Sequence, residues 1–181
     1  MKKSSLIAQR SGAQLGEIHE IVLQSYLFLG FPRMLTAAEH FIESFPDFLF
    51  QAKDSKPNFA KVEEWLSNGY SLCKRVYADN YDKLKDRISS FSPEIFDWMI
   101  LEGYGKVLSR PGLDIKKREL AVVASLMQDG RPKQLFSHIR GSLNVGVKSE
   151  AIAATIDDVA SIFNCEKDPA LSFLKRLGGN V

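Results

Sequence analysis

Apolar residues along this chain recur every three or four positions, the spacing of helix faces rather than of half-buried strands. In "GEIHEIVLQSYLFLGFP" the positions Ile18, Ile21, Val22, Tyr26 and Leu29 trace one face. Leu23, Leu27 and Phe28 make the segment apolar nearly all round, as a buried helix requires. Gly30 is placed to stop it, and Pro32 suits the opening turn of a second helix carrying Met34, Leu35, Ala38, Phe41 and Ile42. The end of "ESFPDFLFQAKDSKPN" reads as a connector. A third helix follows Asn58 with Val62, Trp65, Leu66, Tyr70 and Cys73 on its apolar stripe, where a thiol behaves as a small buried hydrophobe.

Farther on, Ser92 is positioned as an N-cap and Pro93 as the first helical residue, with Ile95, Phe96, Met99 and Ile100 facing inward. "SRPGLD" is a turn from which Asp114 caps a helix that Gly130 ends. Pro132 opens the next helix and Gly146 closes it. Ser149 and Glu150 begin another that runs through Phe163, and Asp168-Pro169 begin a last one that stops at Gly178. No segment alternates like a strand. The predicted fold class is all-α.

A length of 181 residues suits one domain. The net charge is only +2, and the clustered lysines (Lys83 and Lys85, Lys116 and Lys117) sit close to acids, so no nucleic-acid partner is expected. No run approaches the ~18 apolar residues of a membrane span, and "MKKSSLIAQRSGAQLGEIHE" lacks the continuous apolar stretch of a signal peptide. Cys73 and Cys165 are far apart and have no redox or metal spacing, which fits free thiols in the cytoplasm. His19 and His40 form no ligand motif with His138, so no metal is expected.

The stretch from Arg118 to Val147 carries the candidate chemistry. Glu119 stands 11 residues before Gly130 and His138 stands 8 after it. At ~1.5 Å of rise per residue, an antiparallel hairpin brings them within one turn of each other. A carboxylate beside an imidazole sets its tautomer and supports acid–base work; equally, the pair can be a buried hydrogen bond that locks the hairpin. Spacing alone leaves both readings open.

The segment "YGKVLSRPGLDIKKRELAVVASLMQDGRPKQLFSHIRGSLNVGV" closely resembles the carboxymuconolactone decarboxylase family. The shared pattern runs through Tyr-Gly-x-Val-x-Ser-Arg-Pro-Gly-Leu, Arg-x-Leu, Gln-Leu-x-x-His and Leu-Asn-x-Gly. The resemblance extends from about Trp65 to Phe163. "EIHEIVLQSYLFLGFPRMLTAAEHF" resembles the family's carboxy-terminal helices, yet stands first here, as in a circular permutation or a degenerate tandem repeat. "FNCEKDP" occupies the place where a Gly-Phe-Pro would follow.

What the resemblance implies is an alkylhydroperoxidase-D-like bundle of helical hairpins. Residues 1–55 would form an N-terminal hairpin and 56–181 the main region of a single domain. It implies cofactor-independent decarboxylation of a small carboxylated lactone or related acid, by a homo-oligomer. His138 would donate a proton to carbon and Glu119 would orient it. Arg131 or Arg118 would hold substrate carboxylates, Gln134 would stabilise an oxyanion, and Tyr26, with Phe31 and Pro32, would close the pocket. Arg131 and Gln134 stand where the peroxidase branch of the superfamily has its Cys-x-x-Cys pair, so peroxide reduction has no disulfide to cycle. The alternatives are a helical oligomer or ligand-binding protein that keeps the fold without turnover, or a peroxide-related family member without redox cysteines.

Overall fold

In a computed structural model, which describes residues 8–48 and 58–179, helix follows helix as the periodicity predicts, and no strand occurs among those residues. An N-terminal arm consists of α1 (Leu15–Gln24), α2 (Tyr26–Leu29) and α3 (Phe31–Ser44). The main region contains α4 (Val62–Tyr77), α5 (Tyr81–Ser89), α6 (Pro93–Trp98), a π-helical segment (Met99–Leu108), α7 (Ile115–Gln128), α8 (Pro132–Asn144), α9 (Ser149–Phe163) and α10 (Asp168–Arg176). The expected connector falls mostly within residues 49–57, outside the described residues.

Punctuation by side chains sets the boundaries. Asp114 accepts the Lys116 backbone N–H at 2.8 Å and caps α7. Ser92 differs: it takes the extended N-cap backbone, but its hydroxyl bonds the Glu94 carboxylate instead of the helix end. The single helix expected through Leu29 is broken at Ser25. The Ser25 hydroxyl donates to the Val22 carbonyl at 2.7 Å, offering the backbone a local alternative to continued winding. Gly30, at φ +80°, then turns the chain into α3.

The antiparallel α7–α8 hairpin lies at the centre, packed by α4, α9 and α10. Val122, Val123, Ile139, Ile152 and Ile156 are fully buried there. α4 and the π-helical segment touch backbone to backbone. A Cβ added to Gly105 would lie 2.0 Å from the Trp65 carbonyl oxygen, and one added to Gly69 would lie 2.2 Å from that of Ile100. This approach needs glycine on both helices, and it fixes the segment that forms one wall of the site.

The arm has a small core of its own around Ile18, Phe41 and Phe45. It docks on α7 through Gln24, whose amide donates to the Arg118 carbonyl at 3.1 Å, and sends Leu27 and Phe28 into the main core. Several residues expected to face inward do not. Leu35, Ile42, Tyr70 and Ile95 are exposed, because the apolar stripes of α3, α4 and α6 are wider than the surfaces packed against them.

Candidate functional site

α7 and α8 bring Glu119 and His138 together. His138 Nδ1 lies 3.0 Å from Glu119 Oε2; the carboxylate side chain is fully buried and the imidazole 8% exposed. Gly141, nearly one turn beyond His138, makes room for this contact. A Cβ there would stand 3.0 Å from Glu119 Oε2 and 2.7 Å from Val76 Cγ1. The other carboxylate oxygen, Oε1, is buried with no hydrogen-bond partner. Since Nδ1 is engaged, Nε2 is the ring nitrogen left for chemistry. Phe28 meets the imidazole edge-on at 5.4 Å between centroids, and Tyr77 does so at 6.4 Å.

His138 lines a cavity of about 490 Å³. Leu27 and Phe28 of the arm close one side, and Leu84, Ile88, Ile95, Trp98 and Met99 make the remainder largely apolar. Tyr77 and Tyr104 meet edge-on on its wall, 6.3 Å between ring centroids. Burial pushes Tyr77 up to about 12, with the nearby Glu119 charge adding to the shift, and drives the fully buried Tyr104 well above the ordinary phenol range. Both therefore remain neutral hydrogen-bond donors. Burial first, then the Glu119 charge, pushes the Cys73 thiol up to about 12, so it stays protonated and unreactive. Arg87, Lys133 and Glu102 supply the charged groups of the cavity. Among the described residues, no group of three His, Cys, Asp or Glu side chains is placed to hold a metal ion.

The structure treats the other sequence candidates differently. Gln134 lines the His138 cavity. Arg131 does not: it is exposed, its Nε donates to Asp129 at 2.8 Å, and it faces a separate shallow depression beside Pro32 and Arg33. Arg118 cannot hold substrate, because it is fully buried and each of its three nitrogens is engaged, by Glu20, Gln24 and the carbonyls of Leu113 and Arg110. Tyr26 stacks on Phe31 at 4.7 Å and donates its hydroxyl to Glu102. It thereby braces a residue of the cavity wall, while Leu27 and Phe28 do the closing expected of Tyr26, Phe31 and Pro32. Sequence reasoning missed Tyr77, Tyr104, Arg87 and Lys133. Only the π-helical winding, a feature often found at functional sites, could have pointed to Tyr104, and periodicity does not announce it.

A model of the carboxymuconolactone decarboxylase family matches residues 93–172, which include the whole α7–α8 hairpin. That segment is similar to the carboxymuconolactone decarboxylase family. The match begins later than Trp65 and runs past Phe163, so α4 and α5, which complete the cavity, lie outside it. The 4-carboxymuconolactone decarboxylase of Acinetobacter baylyi is 25% identical over 95 residues, covering 52% of this chain and 71% of that protein. Peroxisomal protein 2 of Saccharomyces cerevisiae is 20% identical over 162 residues, covering 76% of this chain. The chain spans 57% of that yeast protein's length. No helix among the described residues is long and apolar enough to cross a membrane.

Proposed function

We propose that the chain is a cofactor-independent decarboxylase of a small carboxylated lactone or related acid. The observation that carries this reading is the buried Glu119–His138 pair, with one carboxylate oxygen unpartnered, opening into a largely apolar cavity. Lys133 at the wall is the cation that holds the substrate carboxylate before it leaves. As the C–C bond to the carboxylate breaks, its electron pair passes into the adjacent π system and CO2 departs. The Tyr77 hydroxyl, kept protonated by burial, donates to the enolate oxygen that develops. His138 gives the Nε2 proton to carbon, and the Nδ1 proton stays on the hydrogen bond to Glu119. The similarity to the Acinetobacter decarboxylase supports the reaction class. Assembly into homo-oligomers through the exposed Phe31, Leu35 and Ile42 face of α3, and a cytoplasmic site suited to two free cysteines, belong to the same reading.

Release of CO2 from a panel of carboxylated lactones and β-keto acids tests the proposal. His138→Asn should lower turnover by about 10²–10⁴-fold, the usual range for a general acid, while KM changes less. A folded His138→Asn protein with full activity would remove His138 from the mechanism. A panel that yields no CO2 with the parent chain would favour a ligand-binding protein that keeps the fold without turnover.

A further inference from the structure

Beside the His138 cavity lies a smaller cleft of about 140 Å³, and the two share Tyr77, Leu84, Arg87 and Ser137. Its polar lining is Lys83, Arg87 and Arg140, with Asn80, Ser137 and the Tyr77 edge. Lys83 and Arg87 are four residues apart on α5 and share a face, while Arg140 lies one turn past Ser137 on α8. Some cations elsewhere, though not all, differ from these. Arg33, Lys106, Arg110, Lys117, Arg131 and Lys167 each hold a carboxylate. Among the described residues, Lys83, Arg87 and Arg140 hold none, although Asp79, Asp82 and Asp86 lie on the same stretch of chain. Arg140 is instead steadied over the Phe136 ring, its guanidinium carbon 4.8 Å from the centroid. Arg87 lines both cavities, which places it at the neck between them. Three converging positive charges with amide and hydroxyl groups exceed what one carboxylate would balance, and they match a phosphate dianion.

We propose that the cleft formed by Lys83, Arg87 and Arg140 is a phosphate subsite, and that its ligand is a phosphate monoester whose apolar part reaches into the His138 cavity. Lys83, Arg87 and Asn80 precede residue 93, so the subsite is built largely by the part of the chain outside the matched family segment. The proposal rests on the reading of the His138 cavity as the ligand site only for the position of the apolar part.

Calorimetric titration of the full chain at low ionic strength separates these statements. Inorganic phosphate should bind about tenfold more tightly than acetate, and Lys83→Gln or Arg140→Gln should each weaken phosphate about tenfold, the worth of a charge-assisted hydrogen bond. Lys85→Gln, on the same helix but outside the cleft, should leave phosphate binding unchanged. Lys83 is exposed, so its variant keeps the test valid even if loss of the Phe136 stack unfolds Arg140→Gln. Phosphate binding no tighter than acetate, or retained in Lys83→Gln, would overturn the subsite. Butyl phosphate should bind at least about tenfold more tightly than inorganic phosphate, in line with a few buried methylenes. Equal binding would overturn the monoester, independently of whether decarboxylation is ever observed.

Discussion

Arg118 and Glu119 are neighbours on α7, both fully buried and oppositely charged, yet they belong to two different kinds of site. Every nitrogen of the Arg118 guanidinium is engaged. Its Nε reaches the Leu113 carbonyl at 3.2 Å, one terminal nitrogen reaches Gln24 at 3.0 Å, and the other reaches Glu20 at 2.8 Å and the Arg110 carbonyl at 3.0 Å. Glu119 has a partner on one oxygen only and lies behind a cavity. A buried charge whose every polar atom has a partner holds structure together; one left half-met in a native fold needs another reason to be there. The difference separates the arm's anchor from the candidate reaction centre, although sequence places the two residues side by side.

Breaking the Arg118 side should have the largest effect. Arg118→Ala leaves Gln24 and two carbonyls without this donor and Glu20 with Arg110 alone, and should cost about 3–5 kcal/mol, measured by urea unfolding. Arg118→Lys should rescue little, because one ammonium cannot reproduce the guanidinium fork. A loss below about 1 kcal/mol would mean that Arg110, which also pairs with Glu20, carries the anchor by itself.

Next in size is a steric change on the other side. Gly141→Ala places a methyl 2.7 Å from Val76 Cγ1 and 3.0 Å from Glu119 Oε2, and should cost about 1–3 kcal/mol as overpacking. Adding Val76→Ala should return part of that loss by making space. If the double variant is no more stable than Gly141→Ala, the conflict lies with the carboxylate and not with the valine.

Glu119→Gln sharpens the comparison through its small effect on stability. The amide can still accept from His138 Nδ1, and a buried charge is removed, so stability should change by less than about 1 kcal/mol in thermal melts. Turnover of an accepted substrate should fall, but less than in His138→Asn, because orientation suffers while the proton donor remains. Collapse of the fold would show that the carboxylate is an anchor like Arg118.

The helices, their order and the Glu119–His138 contact were legible because each rests on local rules: period, caps, glycine stops and equal depth across a hairpin. The cavity was less so. Tyr77, Arg87 and Trp98 come from α4, α5 and α6, and nothing in their spacing says that they converge on His138. Arg118 and Arg131 have the side chain expected of a carboxylate clamp, but neighbours distant in sequence (Glu20 and Gln24) or beside it (Asp129) engage them first. Side-chain type can be read from a sequence; competition for the side chain cannot. The break at Ser25 escaped for a related reason, since a mid-helix serine can face solvent or return to the backbone without changing the apolar pattern.

The smallest effect concerns the phenols that the buried Glu119 charge faces. Tyr77 is pushed up to about 12 in the folded chain, chiefly by burial and then, among other groups, by the charges around it, against about 10 for a free tyrosine. Below pH ~10 the phenol is protonated in both folded and unfolded chains, and its contribution to stability is fully present. As pH rises from about 10 to 12, the unfolded chain releases this proton while the folded chain keeps it. Unfolding therefore becomes more favourable with rising pH, and stability should fall across that window. Tyr104, raised still further by complete burial, acts in the same direction. Tyr77→Phe should reduce the slope of stability against pH above 10 and leave it unaltered at pH 7 to 9, apart from a constant offset for the lost hydroxyl. Urea unfolding at stepped alkaline pH, with phenol absorbance followed in parallel, measures both quantities. An unchanged slope, or a Tyr77 absorbance step near the free-tyrosine value, would mean that water reaches the phenol. The wall beside Glu119 would then be wetter than the packing of His138, Tyr104 and Cys73 requires.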